Sequence, residues 1–252
     1  MTINERFDFL GTKINITNLE RTTDFLTNYN YDNVGYVAFP DSSVVAAAQR
    51  DMQLQTILNN SLLTLPDGKP SELWARVHGH KEVSTVSGFW LCKNLFKTKL
   101  THYFLGSTDV RLKKMVEQVK TEFPNVCIAG YRSLPFHDLE YFKAGNLLTE
   151  ALTEINTLKP DLIWIGISSP KQDFLMRTHA KELKHGVMLG VGGVFDYLSG
   201  DVKKSPEWVK KIGMRWLWRL VKEPGRLGAK YAMTFQILLK VIVKRLFAKQ
   251  QS

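Results

Sequence analysis

"PDLIWIGISSPKQDF", residues 160–174, passes from an apolar run to a helical pattern within a few residues. Leu162, Ile163, Trp164 and Ile165 are apolar without interruption. A half-buried strand would alternate, so this run reads as a short strand covered on both faces. Gly166 ends it. Ser169 then suits a helix N-cap and Pro170 the first helical position, where a missing N–H costs little. A buried strand that leads at once into a helix is the repeating unit of an α/β sheet.

The same pattern recurs on either side. Residues 34–39 (VGYVAF), 62–65 (LLTL), 102–105 (HYFL), 125–129 (NVCIA), 161–166 and 187–191 (VMLGV) predict strands. Helical periodicity fills 42–60, 70–77, 108–122, 143–157 and 170–184. The alternation predicts an α/β fold, a Rossmann-like, mostly parallel sheet with helices on both faces. Ligands of such folds lie beyond the carboxyl ends of the strands.

Four strand exits carry chemistry. Asp67 lies in a Pro-Asp-Gly turn just after the 62–65 run, which displays one carboxylate. Gly106 and Ser107 open the helix at 108 and offer backbone N–H groups and a hydroxyl to an anion. Pro170, Lys171 and Gln172 form the first turn after the strand at 161. Gly192, Gly193 and Asp196 follow the last strand; paired glycines admit a ligand close to the backbone, and the aspartate can accept sugar hydroxyls. Ordinary turns and capped helices would use the same residue types, so both readings stay open on local sequence alone.

Of the net charge of +10, the segment from Met214 to Ser252 supplies +8, with nine bases against one acid, Glu223. Trp208, Ile212, Trp216 and Leu220, then Tyr231, Phe235, Leu238, Ile242 and Leu246, make apolar stripes between these bases. That is the pattern of an interfacial amphipathic helix on anionic lipid. We therefore divide the chain into an α/β core, 1–212, and a basic helical C-terminal appendage, 213–252. No apolar stretch has the length of a membrane span, and the N-terminus lacks a signal-peptide pattern. Cys92 and Cys127 make no disulfide or metal framework, which points to a reducing, cytoplasmic setting. His78 and His80 lack a third ligand nearby, and neither a D-x-D pair nor a G-x-G-x-x-G fingerprint is present. No metal and no cofactor are expected.

Seven motifs occur in order: TLPDG, ARVHG, YFLGS, PDLIWIGISSPKQD, LGVGGVFDYLSG, SPEWVKKIGMRWLWRL and EPGRL. Together they resemble the WecG/TagA/CpsF family of bacterial glycosyltransferases over roughly residues 10–230. The resemblance implies inverting, metal-independent transfer from a UDP-sugar donor to a polyprenyl-diphosphate-linked sugar acceptor, in polysaccharide synthesis at the inner membrane face. It implies that Asp67 is the catalytic base. Pro170 to Asp173 and Gly190 to Asp196 would help form the nucleotide pocket, and the appendage would dock on the membrane and supply Arg219 and Arg226. Arg76, in ARVHG, and Lys171 are further bases available to an anionic group. The chain departs from the family at Ala38–Pro40, at Thr85 (usually arginine), at Trp90 (usually aspartate), at Lys204-Ser205-Pro206 and at Arg215. These departures favour a neutral donor, an N-acetylhexosamine or hexose. The competing expectation is a catalytically weak or inactive basic binding protein, on membrane or nucleic acid. The aromatic stripe of the tail argues against nucleic acid, whose binders interleave bases with exposed aromatics.

Overall fold

A computed structural model describes residues 3–145 and 148–201, with Leu239. The chain opens with a hairpin, β1 (Arg6–Phe9) and β2 (Thr12–Asn15), followed by α1 (Leu19–Thr27). Next come β3 (Gly35–Ala38), α2 (Ser42–Ala48), α3 (Met52–Asn59), β4 (Leu63–Thr64), α4 (Lys69–Val77) and α5 (Gly88–Leu95). β5 (Thr101–Leu105), α6 (Asp109–Glu122), β6 (Cys127–Arg132), α7 (Leu139–Lys143) and α8 (Thr149–Leu158) follow. The described core ends with β7 (Leu162–Ile165), α9 (Lys171–His179), β8 (Val187–Gly190) and α10 (Val194–Leu198).

Six strands form one sheet in the order β4-β3-β8-β7-β5-β6, and every pairing in it is parallel. Period-two alternation sorts the strand residues into two cores. Val37, Leu63, Phe104, Leu162, Trp164 and Leu189 face one layer, which contains α5 and α6. Tyr36, Ala38, Tyr103, Ile163, Ile165 and Met188 face the other, with α3, α8 and α9. A sheet covered on both faces explains why its central strands are apolar throughout. A polar pair lies at its centre, where Trp164 Nε1 donates to His102 Nδ1 at 3.1 Å, while His102 Nε2 is buried without a hydrogen-bond partner among the described residues. Burial pushes His102 down to about 4, so it accepts as a neutral ring.

All six expected strands are present, β6 two residues later than its pattern suggested. The single helix expected over 42–60 is two, because Asp51 leaves the helix to cap α3 through the Leu54 N–H. Ser169 does not cap α9. Pro170 stands at the cap position, after a cis Ser169–Pro170 bond, and the Ser169 hydroxyl donates to Asp173 instead. The hairpin, α1, α5, α7 and α10 had no counterpart in the periodicity. The appendage, including Arg219 and Arg226, lies outside the described residues. No helix among the described residues is long and apolar enough to cross a membrane.

At the amino end of the sheet His185 bridges two carboxylates, with Nδ1 3.1 Å from Asp32 and Nε2 3.0 Å from Asp161. Burial disfavours its cation, but the two acids outweigh burial and raise its pKa. A raised histidine stabilises the fold fully below its unfolded value, about 6.5, and that stability is lost as pH rises through the folded value. Thermal stability should therefore fall as pH climbs from about 6 to 8, by at most ~1 kcal/mol, or ~2–4 °C at this size. His185→Ala should flatten this slope. An unchanged slope in that variant would mean the bridge contributes nothing.

Candidate active site

Parallel pairing sends every strand exit to the same edge. Connections from β5 and β7 leave in opposite directions, to β6 on one side and β8 on the other. That is a topological switch point, where open α/β sheets bind ligands. At it, Gly106 has φ +114°, and a Cβ there would lie 3.1 Å from the carbonyl carbon of Gly166, so the two exits touch. A Cβ on Gly166 would in turn strike the Phe195 ring at 2.2 Å. Glycine at 166 thus lets α10 close on the sheet and sets the Gly192–Asp196 segment beside the Gly106 turn.

One residue that the sequence did not single out joins these segments. Arg111, in the first turn of α6, pairs with Asp196 at 3.1 Å and with Asp201 at 2.9 Å, and lies 3.4 Å from the Ser107 hydroxyl. Asp201, also held by Lys114 at 2.6 Å, is kept well below the usual carboxylate range by these donors. Ser107, expected to face an anion, and Asp196, expected in the nucleotide pocket, are brought together by this guanidinium. In the sequence it looks like one more base on an amphipathic helix.

The turn after β7 is more buried than an exposed anion loop. Gln172 is buried, and its Nε2 donates to Gly190 O at 2.7 Å. Asp173, also buried, is pushed up to about 7 by burial, although Ser169 donates to it and opposes the shift; the negative charge of Asp41 adds to the rise. Asp41 itself caps α2, accepting from Ser43 N at 2.9 Å and Val44 N at 3.1 Å. The β3 exit, where the chain departs from the family, therefore supplies a carboxylate close to the α9 turn. Lys171 turns outward: its Nζ donates to His137 O at 2.5 Å and sits 4.2 Å from the centre of the exposed Phe136 ring.

Asp67 stands half-buried at the other end of the edge, after β4. Its turn is clamped from several sides. The strand that leads to it is held as well, with Thr64 N donating to Asn15 Oδ1 at 2.7 Å and, before β4, Arg6 bound to the carbonyls of Asn59 and Ser61 at 2.7 and 2.6 Å. Val86 N donates to Pro66 O at 2.8 Å, and Ser71 Oγ to Gly68 O at 2.9 Å. Arg76 is exposed and paired with Glu72 at 3.1 Å, one helical turn along α4. Thr85 gives its hydroxyl to the same Glu72 at 2.8 Å. Trp90 lies edge-on to Phe89 at 5.3 Å with the Lys93 ammonium 5.8 Å from its ring. His78 stacks on Trp74 at 4.8 Å, its Nδ1 2.7 Å from Trp74 O.

In sheet order Asp67 follows β4, Asp41 follows β3, Gly192 and Gly193 follow β8, Gln172 follows β7 and Ser107 follows β5. At about 4.8 Å per strand, Asp67 and the β8 exit stand roughly 10 Å apart, and the β5 exit about twice that. One edge thus carries a carboxylate at one end and glycine-bearing strand exits, with Arg111, toward the other.

The sequence profile of the glycosyl transferase WecG/TagA/CpsF family matches residues 7–251. The chain belongs to this family. Among curated proteins it is similar to the N-acetylglucosaminyldiphosphoundecaprenol N-acetyl-beta-D-mannosaminyltransferase of Bacillus subtilis, 27% identical with 86% of each chain covered. It is 25% identical to the enzyme of the same name from Bacillus spizizenii, over 79% of this chain and 76% of that one. The Staphylococcus aureus (strain MW2) enzyme of that name is 24% identical, over 90% and 91%. The family match runs through the basic tail, so this glycosyltransferase family includes the appendage in its pattern.

If these exits hold UDP, as the family resemblance implies, Arg111→Ala should separate Ser107 from Asp196 and weaken UDP binding about tenfold, the equivalent of ~1.4 kcal/mol for one charge-assisted contact set. Calorimetric titration of UDP into both proteins measures this. Equal affinities would remove Arg111 from the site.

Proposed function

We propose that the chain is an inverting glycosyltransferase that moves a sugar from a UDP-sugar to a polyprenyl-diphosphate-linked sugar, in bacterial cell-surface polysaccharide synthesis. The observation that carries this reading is the single sheet edge that holds both Asp67 and the glycine exits of β5, β7 and β8. The nucleotide lies over the β5, β7 and β8 exits, with Asp196 toward the ribose, and directs the anomeric carbon to β3 and β4. Asp67 takes the proton of the attacking hydroxyl as the bond from the anomeric carbon to UDP breaks on the opposite face. The Gly106 amide is spent on Arg132 O at 3.0 Å and Lys171 on His137 O. The Ser107 amide and hydroxyl, with Arg111, stabilise the departing diphosphate. Arg219 and Arg226 of the appendage add to that charge. The net +8 of residues 214–252 suits the anionic membrane surface on which a polyprenyl-linked acceptor resides.

The donor we favour is an N-acetylhexosamine, and the names of the relatives make N-acetylmannosamine the first to test. A carboxylated donor would need a free base near the reacting centre. Thr85 stands where related sequences carry arginine, and both its amide and its hydroxyl are given to Glu72. Arginine would bind a carboxylate through two bonds; a threonine already committed to a neighbour cannot.

Asp67→Asn should keep UDP affinity near wild type and lower turnover by roughly 10²–10⁴. Full turnover in that variant would exclude Asp67 as the base. Transfer should also survive excess EDTA, since the sequence has no D-x-D pair to hold a metal on the diphosphate; loss with EDTA and recovery with magnesium would contradict this. Among donors, UDP-N-acetylhexosamines should outrun UDP-glucose and UDP-galactose, and all of these the two acidic sugars, UDP-glucuronic and UDP-N-acetylmannosaminuronic acid. Preference for an acidic donor would overturn the argument from Thr85.

A further inference from the structure

Three consecutive amides in the segment before α5 bind three separate elements. Ser84 N donates to Thr17 O at 3.3 Å, Thr85 N to Glu72 Oε2 at 3.0 Å, and Val86 N to Pro66 O at 2.8 Å. The segment is thus stitched to the end of the N-terminal hairpin, to α4 and to the turn that carries Asp67. Two of these ties use backbone carbonyls. The middle one uses a side chain, and that side chain is 4% exposed.

Glu72 is fully engaged. Besides the Thr85 amide it accepts the Thr85 hydroxyl at 2.8 Å, both oxygens lie 2.9 Å from Lys69 Nζ, and Arg76 reaches it at 3.1 Å. Burial opposes its charge, yet these donors hold its carboxyl below the usual range. Lys69 and Arg76 are more than half exposed, and exposed pairs alone contribute little. A buried carboxylate stripped of its partners would be strongly unfavourable, and the bonds from Lys69 and Thr85 together make this position tolerable.

We propose that Glu72 is a positioning residue for the reaction. By holding Thr85 it fixes the segment whose next amide grips Pro66 O, and so sets the direction in which Asp67 leaves its turn. The inference rests on Asp67 being the base. A displacement of about 1 Å at such a group can cost on the order of 10²-fold in rate, while binding of the nucleotide, several strands away, is left alone.

The test compares Glu72→Ala, Glu72→Gln and Asp67→Asn in the full chain. Glu72→Gln keeps the volume and an acceptor for Thr85 but loses the charge. Glu72→Ala should lower kcat by about 10–100-fold, with the Kd for UDP and the KM for the donor within about threefold of wild type. Glu72→Gln should recover most of kcat. A structural role alone would reduce the folded, UDP-binding fraction and would show no such split. The proposal is overturned if Glu72→Ala keeps kcat within about twofold of wild type, if only KM changes, or if Glu72→Gln is as impaired as Glu72→Ala. Should Glu72→Ala fail to fold by circular dichroism, Glu72→Asp carries the test. It keeps the charge but draws it back by one methylene, so kcat should fall about fivefold or more with UDP affinity kept, and a wild-type kcat overturns the proposal. Full activity in Asp67→Asn would sink the base assignment whatever Glu72 does. A crippled Asp67→Asn beside an unaffected Glu72→Ala would sink only the role of Glu72.

Discussion

The parallel pairing of six strands is the constraint on which the site depends. Because β4, β3, β8, β7, β5 and β6 all run one way, every loop that leaves a strand leaves from the same edge. Residues as distant in sequence as Asp67, Ser107, Gln172 and Asp196 then share that edge without any being adjacent along the chain. The pairing itself is held by two apolar layers, since each central strand is buried on both faces. Reversing a single strand would move its loop to the amino end, where His185, Asp32 and Asp161 already form a structural bridge.

Two charged residues organise what lies above the sheet, each by joining elements that the backbone alone would leave separate. Arg111 links the β5 exit to the segment after β8 through Ser107, Asp196 and Asp201. Glu72 links α4 to the segment before α5 through Thr85. Each stands at one end of the edge, one beside the glycine exits and one beside the turn of Asp67. In the transfer proposed above these ends serve different needs. A leaving diphosphate calls for positive charge, to which Arg111 would add, and a base calls for a fixed direction, the role proposed for Glu72 with its five donor contacts.

The departures from the family gain a physical meaning in this setting. Thr85 stands where the family resemblance implies an arginine, and its amide and hydroxyl both go to Glu72, so in this chain the position is an internal tie. Asp41, just after the altered stretch Ala38–Pro40, caps α2 and adds its charge to the environment of Asp173. Trp90 packs against Phe89 and Lys93 on α5.

Much of the fold was legible because burial writes a pattern. Runs such as LIWI at 162–165 and YVA at 36–38 are apolar throughout only if both faces are covered, and glycine at the strand exits marks where backbones approach. Asp67, Gly106, Gln172 and Gly193 could be named for the same reason, since turn and cap chemistry is local. The hairpin escaped notice because its turn, Leu10-Gly11, takes positive φ at both residues without the Asn-Gly signal that usually announces it. α5 escaped because Phe89 and Trp90 are apolar although only half-buried, so GFWLCKNL reads as an apolar run and hides the buried stripe of Gly88, Leu91, Cys92 and Leu95. Arg111 and Glu72 were hidden for a deeper reason. A sequence shows that a side chain is charged, but its partner is set by which strands lie side by side, and that order, with β8 inserted between β3 and β7, is a property of the packed sheet alone.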